Sequence, residues 1–226
     1  MTKARTHPIR STADFPYSDE ATCDKLLAWT QDLLVQDPKN TNYLMLNGIF
    51  YVTGRRDFAR SMEQFEKILA SEPDNVVALG LVGAGYGAKN QLDDAVRVSQ
   101  KALKLDPDSA QANDNLGMAS MTRGDRDKAE EYFKKAVACS DAGAMDWFNL
   151  GSLYFAQRRL QDAKTALLKA VEVSPNFYPP HWNLASVYYS LGMTEDCIRE
   201  CKIVVKLAPN SVEGQKAANN LRLMGR

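Results

Sequence analysis

Two cysteines and one histidine are the residues of this chain whose types could bind a metal ion. Cys197 and Cys201 stand four positions apart within a predicted helix, and His181 begins the helix that is predicted to face it. Thiolate and imidazole groups are ligands that zinc prefers, but structural zinc sites normally carry closely paired cysteines and four ligands. We therefore predict no metal, and we interpret the two cysteines as reduced thiols that pack like small hydrophobic side chains.

A glycine-rich run and several acidic pairs suggest two other kinds of chemistry. The run from Gly80 to Gly87 superficially resembles a phosphate-binding loop, but no strand is predicted before it and no P-loop lysine follows it. Acidic pairs such as Asp93-Asp94 open predicted helices, where negative charge stabilises the helix dipole. The sequence thus predicts no catalytic residue and no cofactor, and we expect a protein that is not an enzyme.

The elements that carry these residues recur along the chain at a nearly constant period. Five of the nine prolines stand 35, 34, 68 and 34 residues apart, at Pro38, Pro73, Pro107, Pro175 and Pro209. Because 68 is twice 34, one repeat lacks its proline, and Asp141 stands there instead. Asn75, Ser109 and Ser211 follow prolines by two positions, where a short polar side chain can cap the next helix. Self-similarity at this period indicates an array of repeats that contact mainly their neighbours.

Each period contains two segments with helical spacing of apolar residues. The first segment places a small residue between large ones, as in Trp147-x-x-Leu150-Gly151-x-x-Tyr154. Steps of three and four residues are typical of helices and not of strands. The small residues at the equivalent position are Gly48, Gly83, Gly117, Gly151 and Ala185. A small side chain there lets the two helices of a unit approach closely.

This pattern strongly resembles the tetratricopeptide repeat (TPR) family over residues 41–209. The resemblance implies an all-α fold, a right-handed α-solenoid of antiparallel helix pairs, with units at 41–74, 75–109, 110–143, 144–177 and 178–209. It also implies a protein-binding function, with the first helix of each unit on a concave inner face. Many TPR proteins bind an acidic chaperone tail through lysines, an arginine and asparagines. This chain lacks the basic members of that set, so we argue against that ligand.

Three segments flank the repeats. Residues 1–17 are predicted to form a flexible arm, and residues 18–37 a helix without a partner. That helix either caps the array or offers an unpaired apolar face. Residues 210–226 are predicted to form a closing helix, which repeat arrays need in order to stay soluble.

The charge balance excludes several classes of partner. Lys plus Arg equals Asp plus Glu at 28 each, so no net charge attracts nucleic acid or an anionic membrane. The longest apolar stretch, residues 76–88, is shorter than the roughly 20 residues of a bilayer span. We therefore predict no nucleic-acid binding, no direct membrane insertion and a cytoplasmic location.

The predicted first helices are nearly free of charge. They occupy residues 41–53, 76–88, 110–122, 144–157 and 178–191, where about eight Lys or Arg would be expected from the composition. These windows contain neither residue, and their only acids are Asp114 and Asp146. The inner face of the array is thus predicted to be apolar.

Helical geometry nominates the residues that point from the first helices into the groove. They are Met45, Ile49, Val52, Gly80, Ala84, Gly87, Asp114, Met118, Met121, Met145, Phe148, Ser152, Phe155, Trp182, Ser186 and Tyr189. Methionine and aromatic side chains adapt to and anchor apolar partners. We predict a scaffold that binds an apolar or amphipathic peptide or helix in this groove. Packing between repeats is the alternative role for Phe148 and Trp182, and the N-terminal helix is an alternative cover for Met45 and Ile49.

Two other functions remain open from the sequence. One is self-assembly into a homo-oligomer through the N-terminal helix or arm, for which the candidate residues are Trp29, Leu33, Ile9, Phe15 and Tyr17. The other is a role as a secretion chaperone or as the targeting subunit of a larger complex.

Overall fold

The computed structural model describes residues 20–55 and 57–225, and over these residues every regular element is a helix. The chain divides between Pro107 and Asp108 into two compact units. The first unit contains α1 (Glu20–Gln36), α2 (Thr41–Arg55), α3 (Phe58–Ser71), α4 (Val76–Ala88) and α5 (Leu92–Leu105). The second contains α6 (Ala110–Thr122), α7 (Arg126–Ala138), α8 (Ala144–Ala156), α9 (Leu160–Val173), α10 (Tyr178–Ser190), α11 (Thr194–Leu207) and α12 (Val212–Leu223).

Within each unit, helices that follow one another in sequence pack against one another in space. The pairs are α2–α3 and α4–α5 in the first unit, and α6–α7, α8–α9 and α10–α11 in the second. Short loops join the members of each pair, which is typical of antiparallel helices. Within each unit the second helix of a pair also packs against the helix that follows it. The predicted all-α fold of repeated antiparallel helix pairs is confirmed.

Close helix approach within a pair depends on the small residue of the first helix. A Cβ atom added to Gly117 on α6 would lie 2.5 Å from Phe133 Cε1 on α7. The Phe133 side chain is fully buried, so it has no room to move aside. Gly48 and Phe65 repeat this arrangement between α2 and α3, again at 2.5 Å. In these two pairs the motif marks where an aromatic ring of the second helix fills the space above a glycine, and Leu167 takes the same place above Gly151.

Short polar side chains begin several first helices, as the sequence predicts. Asn75 Oδ1 accepts a hydrogen bond from the backbone N–H of Ala78 at 3.0 Å, and Ser211 Oγ accepts one from Gly214 at 2.9 Å. Ser109 caps α6 in the same way. Each bond satisfies a backbone donor that the helix itself leaves without a partner.

The residue that replaces the missing proline has a structural role of its own. Asp141 Oδ1 accepts a hydrogen bond of 2.9 Å from the backbone N–H of Ala110, the first residue of α6. Both carboxylate oxygens of Asp108 in turn accept from the backbone N–H of Ser140, at 3.3 Å. Hydrogen bonds therefore connect the loop before α6 with the loop after α7. Asp141 adds a second cap to α6 that a proline side chain would not provide.

The N-terminal helix α1 packs along α2. Asn47 Nδ2 donates a hydrogen bond of 2.8 Å to Thr30 Oγ1, and Gln31 Nε2 donates one of 2.9 Å to the Tyr51 hydroxyl. Leu27 is buried beside Tyr51 in the same contact. The position of α1 on α2 is thus the one that the second helix of a preceding unit would take.

Candidate functional site

In the first unit, the first helices of the two pairs are α2 and α4, and they present little accessible surface for a ligand. The Met45 side chain is 8% exposed and that of Ile49 is 1% exposed, so the prediction that these residues line an open groove is wrong. Gly80 is buried, Val52 and Ala84 are half-buried, and Gly87 is exposed. Burial of Met45 and Ile49 follows from the position of α2, which packs against α1 on one side and α3 on the other.

The first helices of residues 108–226 present a larger apolar surface. Tyr189 is 71% exposed, Met118 is 44% exposed and Met145 is 38% exposed. The other predicted residues there that are half-buried are Met121, Phe148, Ser152, Phe155, Trp182 and Ser186. We call the surface formed by these nine residues, together with Leu223 and Met224 of α12, the first-helix face. It combines partly exposed methionine and aromatic side chains on four helices of one compact unit.

Asp114 does not contribute to the first-helix face, although its sequence register predicted that it would. Its side chain is buried and accepts hydrogen bonds from Asn149 Nδ2 at 2.8 Å (Oδ1) and 3.0 Å (Oδ2). One repeat further on, Asn183 Nδ2 donates to Ser152 Oγ at 2.9 Å. These bonds connect α6 to α8 and α8 to α10, so neighbouring first helices are joined by side-chain amides beneath the exposed residues.

Phe148 combines surface exposure with a packing role. Its ring lies edge-to-face with that of Phe177, with centroids 5.7 Å apart and planes at 78°. Phe177 is buried in the loop before α10. The half-buried Phe148 therefore contributes to packing between two pairs, which was the alternative considered from the sequence.

A pocket of about 510 Å³ opens on the first-helix face between α8, α10, α11 and α12. It is lined by Phe155, Trp182, Ala185, Ser186, Tyr189, Ser190, Cys197, Cys201, Asn220, Leu223 and Met224. Its size lies within the range of about 300–1,000 Å³ that is usual for ligand sites. Four residues of the predicted groove, Phe155, Trp182, Ser186 and Tyr189, thus share one pocket.

The sequence analysis missed the wall that α12 contributes to this pocket. Asn220, Leu223 and Met224 lie there, but the segment was treated only as a closing helix. The repeat period contained the missing signal, because Leu223 follows Tyr189 by 34 residues and Asn220 follows Ser186 by 34. In register, α12 is therefore the first helix of a further unit.

Comparison with protein-family models supports the repeat assignment. Residues 85–144 match one tetratricopeptide repeat model and residues 144–177 match another. Both matched regions show the helix pairs and the small-residue contacts described above. Residues 85–177 are therefore tetratricopeptide repeats.

Solved TPR structures share the fold of this TPR protein at low sequence identity. A thermophilic TPR protein of Thermus thermophilus is 22% identical, with a TM-score of 0.65 over 75% of this chain and 92% of that chain. A TPR protein from Parabacteroides merdae is 16% identical, with a TM-score of 0.70 over 92% and 79%. YrrB, described as a TPR protein with an unusual peptide-binding site, is 15% identical, with a TM-score of 0.52 over 84% and 97%. Among curated proteins none matches.

The thiols of the TPR pocket are neutral. Burial raises the pKa of Cys201 to about 12 and also raises the pKa of Cys197. Both ring nitrogens of His181 have other partners, because Nδ1 lies 2.6 Å from Glu200 Oε2 and Nε2 lies 3.0 Å from the Pro175 carbonyl oxygen. Within residues 20–55 and 57–225, no three His, Cys, Asp or Glu side chains are grouped so as to hold a metal ion.

His181 acts as a double hydrogen-bond donor in this arrangement. A carbonyl oxygen only accepts, as does a carboxylate, so both ring nitrogens carry hydrogen. Burial by itself lowers the pKa of His181, but the hydrogen bonds to Glu200 and Pro175 outweigh burial and raise the pKa above its usual value. The histidine thereby connects α10 to α11 and to the loop before α10.

The described part of the chain also contains no helix with the length and apolar character needed to cross a lipid bilayer.

Replacing Asp114 with asparagine is expected to reduce the dependence of unfolding free energy on pH. Burial, together with the nearby Asp146 carboxyl, raises the pKa of Asp114 to about 8 against the lowering effect of the hydrogen bond from Asn149. The folded chain therefore holds a proton that the unfolded chain releases above about pH 4. Stability from this group is full below that pH and is lost as the pH rises through about 8.

Urea unfolding of wild type and Asp114→Asn between about pH 5 and pH 9 measures this effect. We expect the variant to lose less stability than wild type as the pH rises, because its amide carries no titrating proton. Asp127→Asn, at an exposed site on α7, is the matched control and should keep the wild-type profile. Parallel profiles for wild type and Asp114→Asn would contradict the prediction.

Proposed function

We propose that this TPR protein is a non-catalytic scaffold that binds an apolar or amphipathic segment of a partner protein on its first-helix face. The observation that carries the proposal is the group of partly exposed methionine and aromatic side chains around one pocket. Tyr189 and Leu223, which are 71% and 78% exposed, stand at its edge. Large apolar side chains exposed together around a cavity are typical of protein interaction sites.

The distribution of charge supports an apolar ligand. The helices α6, α8 and α10 contain no Lys or Arg, and their two acids, Asp114 and Asp146, are both buried. Basic residues lie instead on the second helices, where they form exposed ion pairs such as Lys134–Glu130 and Lys135–Glu131. A ligand on the first-helix face would therefore gain affinity by burying apolar area, at about 25 cal/mol per Å², with a small electrostatic contribution.

Peptide selection on the immobilised full chain tests the proposal. We expect a random peptide library to yield binders with several apolar residues, and we expect Tyr189→Ala to weaken a selected peptide about tenfold, the loss typical of an anchor residue. Because the contact is mainly apolar, affinity should change little between about 50 and about 500 mM NaCl. Isothermal titration calorimetry measures both quantities.

An exposed apolar residue on a second helix supplies the matched control. Leu168 on α9 is 42% exposed and lies outside the first-helix face, so Leu168→Ala should leave peptide affinity unchanged. The proposal would be wrong if no peptide were selected, or if Tyr189→Ala bound as tightly as wild type. It would also be wrong if high salt removed binding.

Self-association is the second candidate function. Trp29 on α1 is 51% exposed and Leu33, four residues later, is half-buried, so this helix offers an apolar patch. The other predicted residues, Ile9, Phe15 and Tyr17, lie outside the described residues. If this candidate is correct, light scattering will show a mass above 25.1 kDa that Trp29→Ala reduces toward that of one chain. A single-chain mass for wild type would exclude it.

Roles as a secretion chaperone or as a targeting subunit are narrower forms of the same scaffold function. Both roles would use the first-helix face. A partner protein that purifies with the full chain in a constant ratio would favour one of these roles over the binding of isolated peptides. The four cysteines are free thiols, which suits the cytoplasmic location proposed from the sequence.

A further inference from the structure

The pocket on the first-helix face combines three aromatic side chains. Phe155 comes from α8, and Trp182 and Tyr189 come from α10, while Met224 of α12 lines the pocket with them. The faces of aromatic rings carry negative electrostatic potential and attract cations, most strongly for tryptophan. An aromatic lining of this kind is therefore suited to a cation with a flat or apolar surface.

The two serine hydroxyls of the pocket can accept hydrogen bonds from a ligand. Ser190 Oγ donates its hydrogen to the Ser186 carbonyl oxygen at 2.8 Å, and Ser186 Oγ donates to the Trp182 carbonyl oxygen at 3.2 Å. A hydroxyl has one hydrogen and two lone pairs, so both oxygens keep accepting capacity. The Asn220 amide, which carries one carbonyl acceptor and two N–H donors, also lines the pocket. A ligand without donors would leave these oxygens dehydrated and unpaired, at a cost in affinity.

The residues that line the pocket contain no ionic group that could repel or strongly pair with a cation. None is Lys, Arg, Asp, Glu or His, and the thiols of Cys197 and Cys201 are neutral. A lysine ammonium would lose strong hydration there without a carboxylate in compensation. A guanidinium is more weakly hydrated, stacks on aromatic rings and offers five donors in one plane.

We propose that this pocket binds an arginine side chain of the partner segment, whose neighbouring apolar residues lie along the first-helix face. The inference rests on the proposed function, because the arginine is part of the segment that the face binds. An arginine in the pocket also means that the preferred ligand is basic and amphipathic, in contrast to the acidic chaperone tail that many TPR proteins bind.

Small probes that differ only in charge and donor geometry test the inference on the full chain. Ethylguanidinium carries the arginine head group, ethylurea is its neutral counterpart of similar shape, and ethylammonium represents lysine. Titrations followed by NMR would use the Met224 methyl and the Trp182 indole resonances. We expect ethylguanidinium to bind at least about fivefold more tightly than either other probe, the size of a cation–π contribution.

Two variants connect the binding to the aromatic lining. Tyr189→Leu keeps an apolar side chain at a mostly exposed site and should reduce the preference for ethylguanidinium, because one of the three rings is lost. Phe58→Leu replaces an aromatic residue that is 45% exposed on α3 and should leave the preference unchanged. An unchanged preference in Tyr189→Leu would overturn the inference.

The outcomes separate this inference from the proposed function. If ethylurea bound as tightly as ethylguanidinium at the pocket, the arginine inference would be wrong while apolar docking would stand. If tetramethylammonium bound more tightly than ethylguanidinium, a methylated ammonium group and not arginine would be the ligand. Absence of binding by every probe would overturn the inference, and the selected peptides of the previous section would then decide the proposed function by themselves.

Discussion

Replacing Phe133 with alanine is expected to lower the free energy of unfolding by about 3–5 kcal/mol, the range observed when a buried phenylalanine is truncated. The Phe133 side chain is fully buried on α7 and fills the space above Gly117 of α6. It belongs to the same core cluster as Leu150 of α8 and Leu167 of α9. Its loss would leave a cavity between α6 and α7, because close helix packing limits how far they can collapse.

Urea denaturation of wild type and Phe133→Ala measures the change. Since domains of this size are typically stable by about 5–15 kcal/mol, the loss would be a large part of the total. Phe58→Ala is the matched control, because the same residue type is 45% exposed at the start of α3. The control should change stability by less than about 1 kcal/mol. A similar loss in both variants would show that burial of Phe133 is not the cause.

Replacing Gly214 with alanine is expected to displace α12 and to weaken ligand binding at the pocket. The added Cβ would lie 1.9 Å from the Ala208 carbonyl oxygen and 2.9 Å from its carbonyl carbon. These are backbone atoms, so no change of side-chain rotamer relieves the contact. Leu223, the last residue of α12, and Met224, which follows it, line the pocket, so its wall would move with α12. We expect a loss of about 1–3 kcal/mol in stability.

Amide hydrogen exchange is the direct measurement, because displacement of α12 should speed exchange in residues 212–223 before other helices are affected. Gly87→Ala is the matched control, since a Cβ at Gly87 on α4 meets nothing within 4 Å. That substitution should instead stabilise the protein by about 0.4–1 kcal/mol, by restricting the unfolded chain. Wild-type exchange on α12 in Gly214→Ala would refute the prediction.

Much of the fold could be predicted because each repeat encodes its own helix pair. The small residue at Gly117 and the periodic apolar residues around it depend only on neighbours within one unit. The α6 helix accordingly occupies Ala110–Thr122, the window predicted from the pattern. Asp141 was identified as the irregular position of the array, but its hydrogen bond to Ala110 required knowledge of which loops meet.

The candidate site was harder to predict because exposure depends on elements outside the repeat. Asp114, Phe148 and Trp182 occupy the same register, 34 residues apart, yet only Asp114 is fully covered. Its burial follows from the amide of Asn149 on the next first helix, which reaches back to its carboxyl group. A helical register specifies the direction of a side chain but not what the next helix places over it.

The sequence by itself determined the helix pairs, their period, the positions of close approach and the absence of basic residues from α4, α6, α8 and α10. These properties follow from residue types at short separations along the chain. Only the tertiary structure decided that Met45 and Ile49 are buried, and that α12 supplies Leu223 and Met224 to a pocket with Trp182 and Tyr189. The physical reason is that burial and pocket formation are set by the side chains that adjacent helices bring together.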